Sequence, residues 1–146
     1  MNSMMDGPVS AGTPLGPLVL EPITRLTLAL YCGGSNDHYG IHVDSDYAKS
    51  VGLNDVIGHG MLSMAYVGRL LTSWAPQEQL RSLHTRFVDT THPGDIPTLR
   101  GEVIEVVDIA SEKCARVSLT MTDQHGHTKI TGEAVVAFSQ RHVDSA

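Results

Sequence analysis

Period-two alternation dominates the second half of the chain. Ala115, Val117, Leu119 and Met121 alternate with Cys114, Arg116, Ser118 and Thr120, and Ile130, Ala134, Val136 and Phe138 alternate with Lys129, Thr131 and Glu133. Such a repeat sends one set of side chains to the core and the other toward solvent, so both segments read as half-buried strands. The intervening Asp123-Gln124-His125-Gly126-His127 reads as a hairpin loop. Leu80 to Val88 and Leu99 to Asp108 supply two further strands, separated by Pro93-Gly94-Asp95.

The first half follows a different rhythm. Pro17 to Glu21 reads as a first strand. Thr24 to Tyr31 reads as a helix on the Leu28/Tyr31 spacing, although Leu26, Leu28 and Leu30 also alternate as a strand would. Gly33-Gly34 is its expected stop. Ser35 to Val43 reads as an irregular loop. Asp44 or Ser45 can cap a short helix through Tyr47, Ala48 and Val51 that Gly52 closes. In Met61 to Trp74, apolar residues surround most of the circumference and only Arg69 is charged. A helix apolar nearly all round is buried or spans a membrane, and this one is too short to span. The prediction is an α+β domain: an antiparallel sheet wrapped round one buried central helix, with a flexible arm over residues 1–16, the domain over 17–139 and a tail over 140–146.

Composition narrows the class of function. A chain of 146 residues that is 41% hydrophobic can bury one core. A net charge of −6 disfavours nucleic-acid binding, which relies on clustered cations. Cys32 and Cys114 lie far apart in no metal-ligand spacing and read as buried thiols. The N-terminus lacks a secretory pattern and no apolar run reaches membrane-spanning length, so no membrane partner and a cytoplasmic location are the expectations.

The candidate chemistry lies between the two rhythms. Asp37 and His42 stand five residues apart in a glycine-containing loop, where a carboxylate and an imidazole can converge on one water and move its protons. Taken alone, an Asp that caps a turn beside a space-filling His is the commoner arrangement. His59-Gly60 opens the apolar helix, whose first N–H groups have no partner within the helix, and Gly60 would let a ligand oxygen come close. That is an oxyanion site, although a packing glycine beside a capping His would look the same. His38, His42, Asp44 and His59 carry metal-binding side chains, but Gly40 spoils a helical H-x-x-x-H pair and H-E-x-x-H is absent, so no metal is expected. Ser35 and Ser63 sit in no nucleophile motif.

Taken together these blocks resemble the MaoC-like (R)-specific enoyl-CoA hydratases and acyl dehydratases of the hotdog fold. Ser35-Asn36-Asp37-His38-Tyr39-Gly40-Ile41-His42-Val43-Asp44 matches that family's S/G-D-x-N-P-aliphatic-H-x-D loop at Asp, the aliphatic residue, His and the trailing Asp. His59-Gly60-Met61-Leu62 reproduces its H-G-M-L block, and Arg86-Phe87 and Pro93-Gly94-Asp95 also look like family positions. The resemblance runs from about Leu18 to Phe138. It implies that Asp37 and His42 hold a water, that the Gly60 N–H binds a thioester carbonyl, and that water adds reversibly to trans-2-enoyl thioesters of coenzyme A or an acyl carrier, with no metal or organic cofactor. Tyr39, Gly40, His59, Met61 and Ser63 would then border the substrate pocket, and coenzyme A phosphates need positive charge, for which Arg86 stands first beside Arg81, Arg100 and Lys49, with nothing in the spacing choosing among them. The implied assembly is a homodimer, with a heterodimer or a dimer of dimers as alternatives. Tyr39 stands where the family has Asn, and Gly40 where it has Pro. A hotdog thioesterase would need an acid on the central helix, and residues 61–74 contain none. A non-catalytic acyl-binding subunit paired with an active homologue is the other alternative.

Overall fold

The computed structural model describes residues 8–138. In chain order its elements are β1 (Pro14–Val19), α1 (Arg25–Ser35), a 3-10 turn (Gly40–His42), α2 (Ser45–Ser50), α3 (Gly60–Trp74), a short 3-10 turn (Gln77–Gln79), β2 (Leu80–Phe87), β3 (Thr98–Ile109), β4 (Glu112–Thr122) and β5 (Thr128–Ala137). The five strands form one antiparallel sheet in the order β1-β3-β4-β5-β2, with α3 against β1 to β4. This is the α+β hotdog arrangement. The arm's residues 1–7 and the tail at 140–146 lie outside the described residues, and β1 begins at Pro14, inside the segment expected as arm.

The alternation in β4 and β5 becomes the core as its period dictates. Ala115, Val117, Leu119, Met121, Ile130, Ala134 and Val136 are buried and meet Val67, Leu70, Leu71 and Trp74 of α3. Each Val, Leu, Ile or Met side chain among them contributes about 1.5–3 kcal/mol when fully buried. Lys129 breaks the expectation for its own face: the alternation puts it on the polar side of β5, yet it is buried, because three carboxylates surround its ammonium.

Two helices also depart from the reading of the sequence. α1 runs through Gly33 and Gly34 to Ser35, and Asn36, left-handed at φ 60°, caps it instead. The strand reading of Leu26-Leu28-Leu30 fails, since Leu28 is buried while Leu26 and Leu30 are 66% and 67% exposed. Thr24 and Thr27 close a reciprocal capping box at the start of α1, satisfying first-turn donors. α3 is not enclosed on every side by its own chain. Leu62, Ser63, Val67, Leu70, Leu71 and Trp74 are buried, but Met61, Ala65, Arg69 and Thr72, at helical spacing, stay open. The sheet covers one side of α3; Ile23, Leu28, Ala48 and Val56 form a second small core with Leu62, and Tyr66 touches both cores. Cys32 and Cys114 are buried free thiols, as expected. Among the described residues, no helix is long and apolar enough to cross a membrane.

Candidate active site

Local hydrogen bonds shape the loop after α1. Asp37 N–H donates to Ser35 Oγ at 3.2 Å, and Asp37 Oδ1 accepts from Tyr39 N–H at 3.3 Å, so this Asp does cap its own turn. The following 3-10 turn closes through His42 N–H to Tyr39 O at 3.0 Å. His42 Nδ1 lies 2.8 Å from the Ile57 carbonyl, which can only accept, so in the neutral ring Nδ1 carries the proton and Nε2 the lone pair. One carboxylate oxygen of Asp37, one ring nitrogen of His42 and one of His59 lie within 4.8 Å of one another. Two hydrogen bonds of about 2.8 Å meeting at a tetrahedral oxygen span about 4.6 Å, so groups no more than 4.8 Å apart are within reach of one shared water.

His59 supports this pair from below. Its ring stacks on His42 with centroids 3.8 Å apart and meets the edge of Tyr31 of α1 at 4.8 Å. Its Nε2 is 3.2 Å from the Asp37 carbonyl and 3.4 Å from Cys32 Sγ, which makes Nε2 the protonated nitrogen and leaves buried Nδ1 without a partner. Burial pushes the His59 pKa below its ordinary value, and the bond to the Asp37 carbonyl opposes this only in part. Burial likewise pushes the Cys32 thiol up, with the Asp37 charge adding to it, so the thiol stays protonated.

Above the pair opens a pocket of about 470 Å³, lined by His42, Ile57, Gly60, Ser63, Phe87 and Ile130 together with the 88–91 segment. Gly60 is the first residue of α3, where no intrahelical acceptor exists for its N–H. The far wall is drawn close by Gly58, whose N–H donates to the Thr91 carbonyl at 2.7 Å. A Cβ on Gly58 would lie 2.1 Å from Thr91 Oγ1, so only glycine permits this approach.

His42, Gly60 and Ser63 share the pocket wall, whereas Asp37 stands beside His42 without lining the pocket, and other expected residues also lie off the wall. His59, expected at the pocket, is fully buried behind His42 and supports it by stacking. Met61 is exposed on the open side of α3, and Tyr39 is 52% exposed beside His42 rather than on the pocket wall. Gly40 lies under the Tyr47 ring. Arg86 is exposed on β2, the strand at the sheet edge, next to the pocket residue Phe87. Ile57, Phe87, Thr91 and Ile130 were not foreseen as walls; the G-H-G run Gly58-His59-Gly60 was the one local hint of a close approach.

Asp37, His42 and His59 are also the residues whose ligand atoms cluster closely enough to suggest a metal. The ring orientations fit that role poorly. A metal lies near the plane of each donor imidazole at about 2 Å. Planes stacked at 3.8 Å and inclined at 22° meet on the order of 9 Å from the ring centres, beyond reach of one ion.

A family model described as the MaoC like domain matches residues 9–125. The fatty acid synthase subunit beta of Saccharomyces cerevisiae is 32% identical over 94 residues; the match covers 62% of this chain but only 5% of that protein. Among solved structures, the unliganded R-hydratase PhaJ1 from Pseudomonas aeruginosa superimposes with a TM-score of 0.77 at 24% identity, covering 90% of this chain and 84% of that one. The ChsH1-ChsH2 complex from Mycobacterium tuberculosis gives 0.77 at 22% identity, covering 88% and 98%.

Proposed function

The chain belongs to the MaoC-like domain family, and on that premise we propose that it is a hydro-lyase adding water reversibly to trans-2-enoyl thioesters to give (R)-3-hydroxyacyl thioesters. The observation that carries the reading is the Asp37–His42 gap beside a pocket that the N-terminus of α3 enters. The Asp37 carboxylate and the His42 Nε2 lone pair accept both protons of one water. The water oxygen adds to C3, the double-bond electrons move toward the thioester oxygen, and a proton from the water passes to C2. The Gly60 N–H donates to the thioester oxygen as its negative charge grows, a contact whose removal costs about 3 kcal/mol of barrier in comparable sites. His42 suits the proton transfer because its tautomer is fixed by Ile57. Ile57, Phe87, Val88 and Ile130 give the acyl chain an apolar lining. The thioester partner is coenzyme A or an acyl carrier, with exposed Arg86 of β2 as the proposed phosphate contact.

The working unit in this reading is a dimer. The edge strand β2 has one free side, and Met61, Phe87 and Val88 expose apolar surface beside it, a combination that a second copy would cover. The similar ChsH1-ChsH2 complex supports pairing between such chains.

A thioesterase is the competing enzyme. Asp89 lines the pocket, but its carboxylate is bound to Lys129 at 2.9 Å, and α3 offers no acid. Incubating the chain with crotonyl-CoA separates the two: loss of enoyl absorbance without free thiol supports hydration, and thiol release without hydration refutes it.

A further inference from the structure

The two departures from the family loop, Tyr39 and Gly40, share a neighbour that the reading of the sequence did not use. A Cβ built on Gly40 would lie 2.7 Å from Tyr47 Cδ1, 2.9 Å from Cγ and 3.2 Å from Cε1, so the Tyr47 ring covers the position a side chain at 40 would occupy. The contact involves the root of the ring, which cannot yield without rotating the whole side chain. The Tyr39 ring meets Tyr47 edge-on at 5.9 Å and His42 edge-on at 6.3 Å. The turn from Tyr39 to His42 is thus held between one aromatic ring on Gly40 and a second that touches His42.

Tyr47 is itself firmly placed. Asp44 Oδ1 accepts from Asp46 N–H and Tyr47 N–H at 3.0 Å each, and Gly40 O accepts from Asp44 N–H at 2.8 Å. Ala48, the next residue, is fully buried in the second core. A three-residue 3-10 turn with glycine in it has little rigidity of its own. Proline would fix that backbone directly; here, packing from the neighbouring helix takes over.

We infer that Tyr47 is a positioning residue for His42: its ring, seated on the bare face of Gly40 and braced by Tyr39, fixes the turn that aims the imidazole at the Asp37 water. The inference rests on the proposed role of His42, and one of its two readouts is independent of that role.

The test uses the full chain and four variants: Tyr47→Ala, Tyr47→Phe, Gly40→Ala and Gly40→Ala/Tyr47→Ala. For crotonyl-CoA hydration, Tyr47→Ala lowers kcat on the order of 10–100-fold with KM within about threefold, as a small misplacement of a reacting group does. Tyr47→Phe keeps the ring and retains kcat within about twofold. Gly40→Ala displaces the ring and resembles Tyr47→Ala, and the double variant is no more than about threefold worse than either, because all three lose the same contact. Independently of activity, the histidine ring signals in nitrogen-detected NMR report His42 with a fixed tautomer in the parent and Tyr47→Phe, and with averaged tautomers in Tyr47→Ala and Gly40→Ala. A parent without hydration refutes the proposed function and leaves the NMR comparison to decide this one. Unchanged His42 signals in both ring-loss variants overturn the inference. So does a loss confined to KM, or Tyr47→Phe failing as Tyr47→Ala does, since either outcome would give the residue direct contact with substrate or a role for its hydroxyl.

Discussion

Replacing Lys129 with methionine removes the one ammonium from a buried cluster of three carboxylates. Asp89, Asp123 and Asp95 lie 2.9, 3.4 and 3.8 Å from Lys129 Nζ. The Lys129 side chain is 5% exposed and the carboxylates of Asp123, Asp95 and Asp89 are 4%, 15% and 53% exposed. Asp89 is screened by solvent and contributes little. Asp123 carries the penalty, since an unpaired buried charge costs about 3–5 kcal/mol. The lower end applies, because Asp123 keeps the His125 and His127 N–H groups at 2.8 and 2.9 Å and the His127 ring at 3.0 Å. A loss of about 3 kcal/mol lowers Tm by roughly 6–12 °C for a chain of this size. Urea denaturation reads the same loss as a fall in midpoint at unchanged slope. The pH dependence follows from the signs. Burial would raise Asp123, but the His127 and His125 N–H groups overcome it and hold the carboxyl far below its ordinary range, so its stabilisation is present above about pH 4 and is lost on acidification. Burial would lower Lys129, yet Asp89 and its neighbours raise it, so its stabilisation is complete below about pH 10 and is lost only as pH rises through the higher folded value. The difference between parent and variant is therefore flat from about pH 5 to pH 9. A difference below about 1 kcal/mol, the scale of a surface pair, would refute the reasoning. Adding Asp123→Asn to the variant removes the orphaned charge and recovers part of the loss.

Two other consequences concern the support of the site and its outer face. Because the His59 pKa is depressed by burial, the folded chain loses stability as pH falls below about 6.5 toward the folded value, and His59→Phe shows a shallower fall; parallel urea midpoints at pH 7 and pH 5 for the two proteins would count against a neutral, buried His59. Ala65 lies on the open stripe of α3, so sedimentation finds a dimer for the parent and at least roughly tenfold weaker association for Ala65→Arg, whereas a monomeric parent would remove the basis for the paired unit.

The legible part of the fold was the part written in local period. β4 and β5 follow from alternation because a strand with one buried face admits no other register, and Asp44 announces α2 because its carboxylate meets the free N–H groups of Asp46 and Tyr47. The unforeseen part belongs to tertiary contacts. Lys129 sat in a polar position of the alternation, and nothing local showed that Asp89, Asp95 and Asp123 would close over it. Gly33-Gly34 promised a helix stop that the left-handed cap at Asn36 and the buried Cys32 carried past. In the candidate site, the motif spacing singled out Asp37, His42 and Gly60, but the wall at Phe87 and Thr91 comes from another strand and loop, and the stacking of His59 on His42 depends on how the 3-10 turn meets the start of α3. The open stripe on α3 has the same origin: an all-round apolar helix says that every face is covered, without saying that its own chain covers it.

The most direct test of the account is kcat/KM for hydration of crotonyl-CoA by the parent chain, Asp37→Asn and His42→Ala, with circular dichroism confirming that each is folded. The account predicts an active parent and a loss of at least roughly 100-fold in each variant, the scale of lost acid–base help. Parental activity in both folded variants would contradict it and put the water elsewhere.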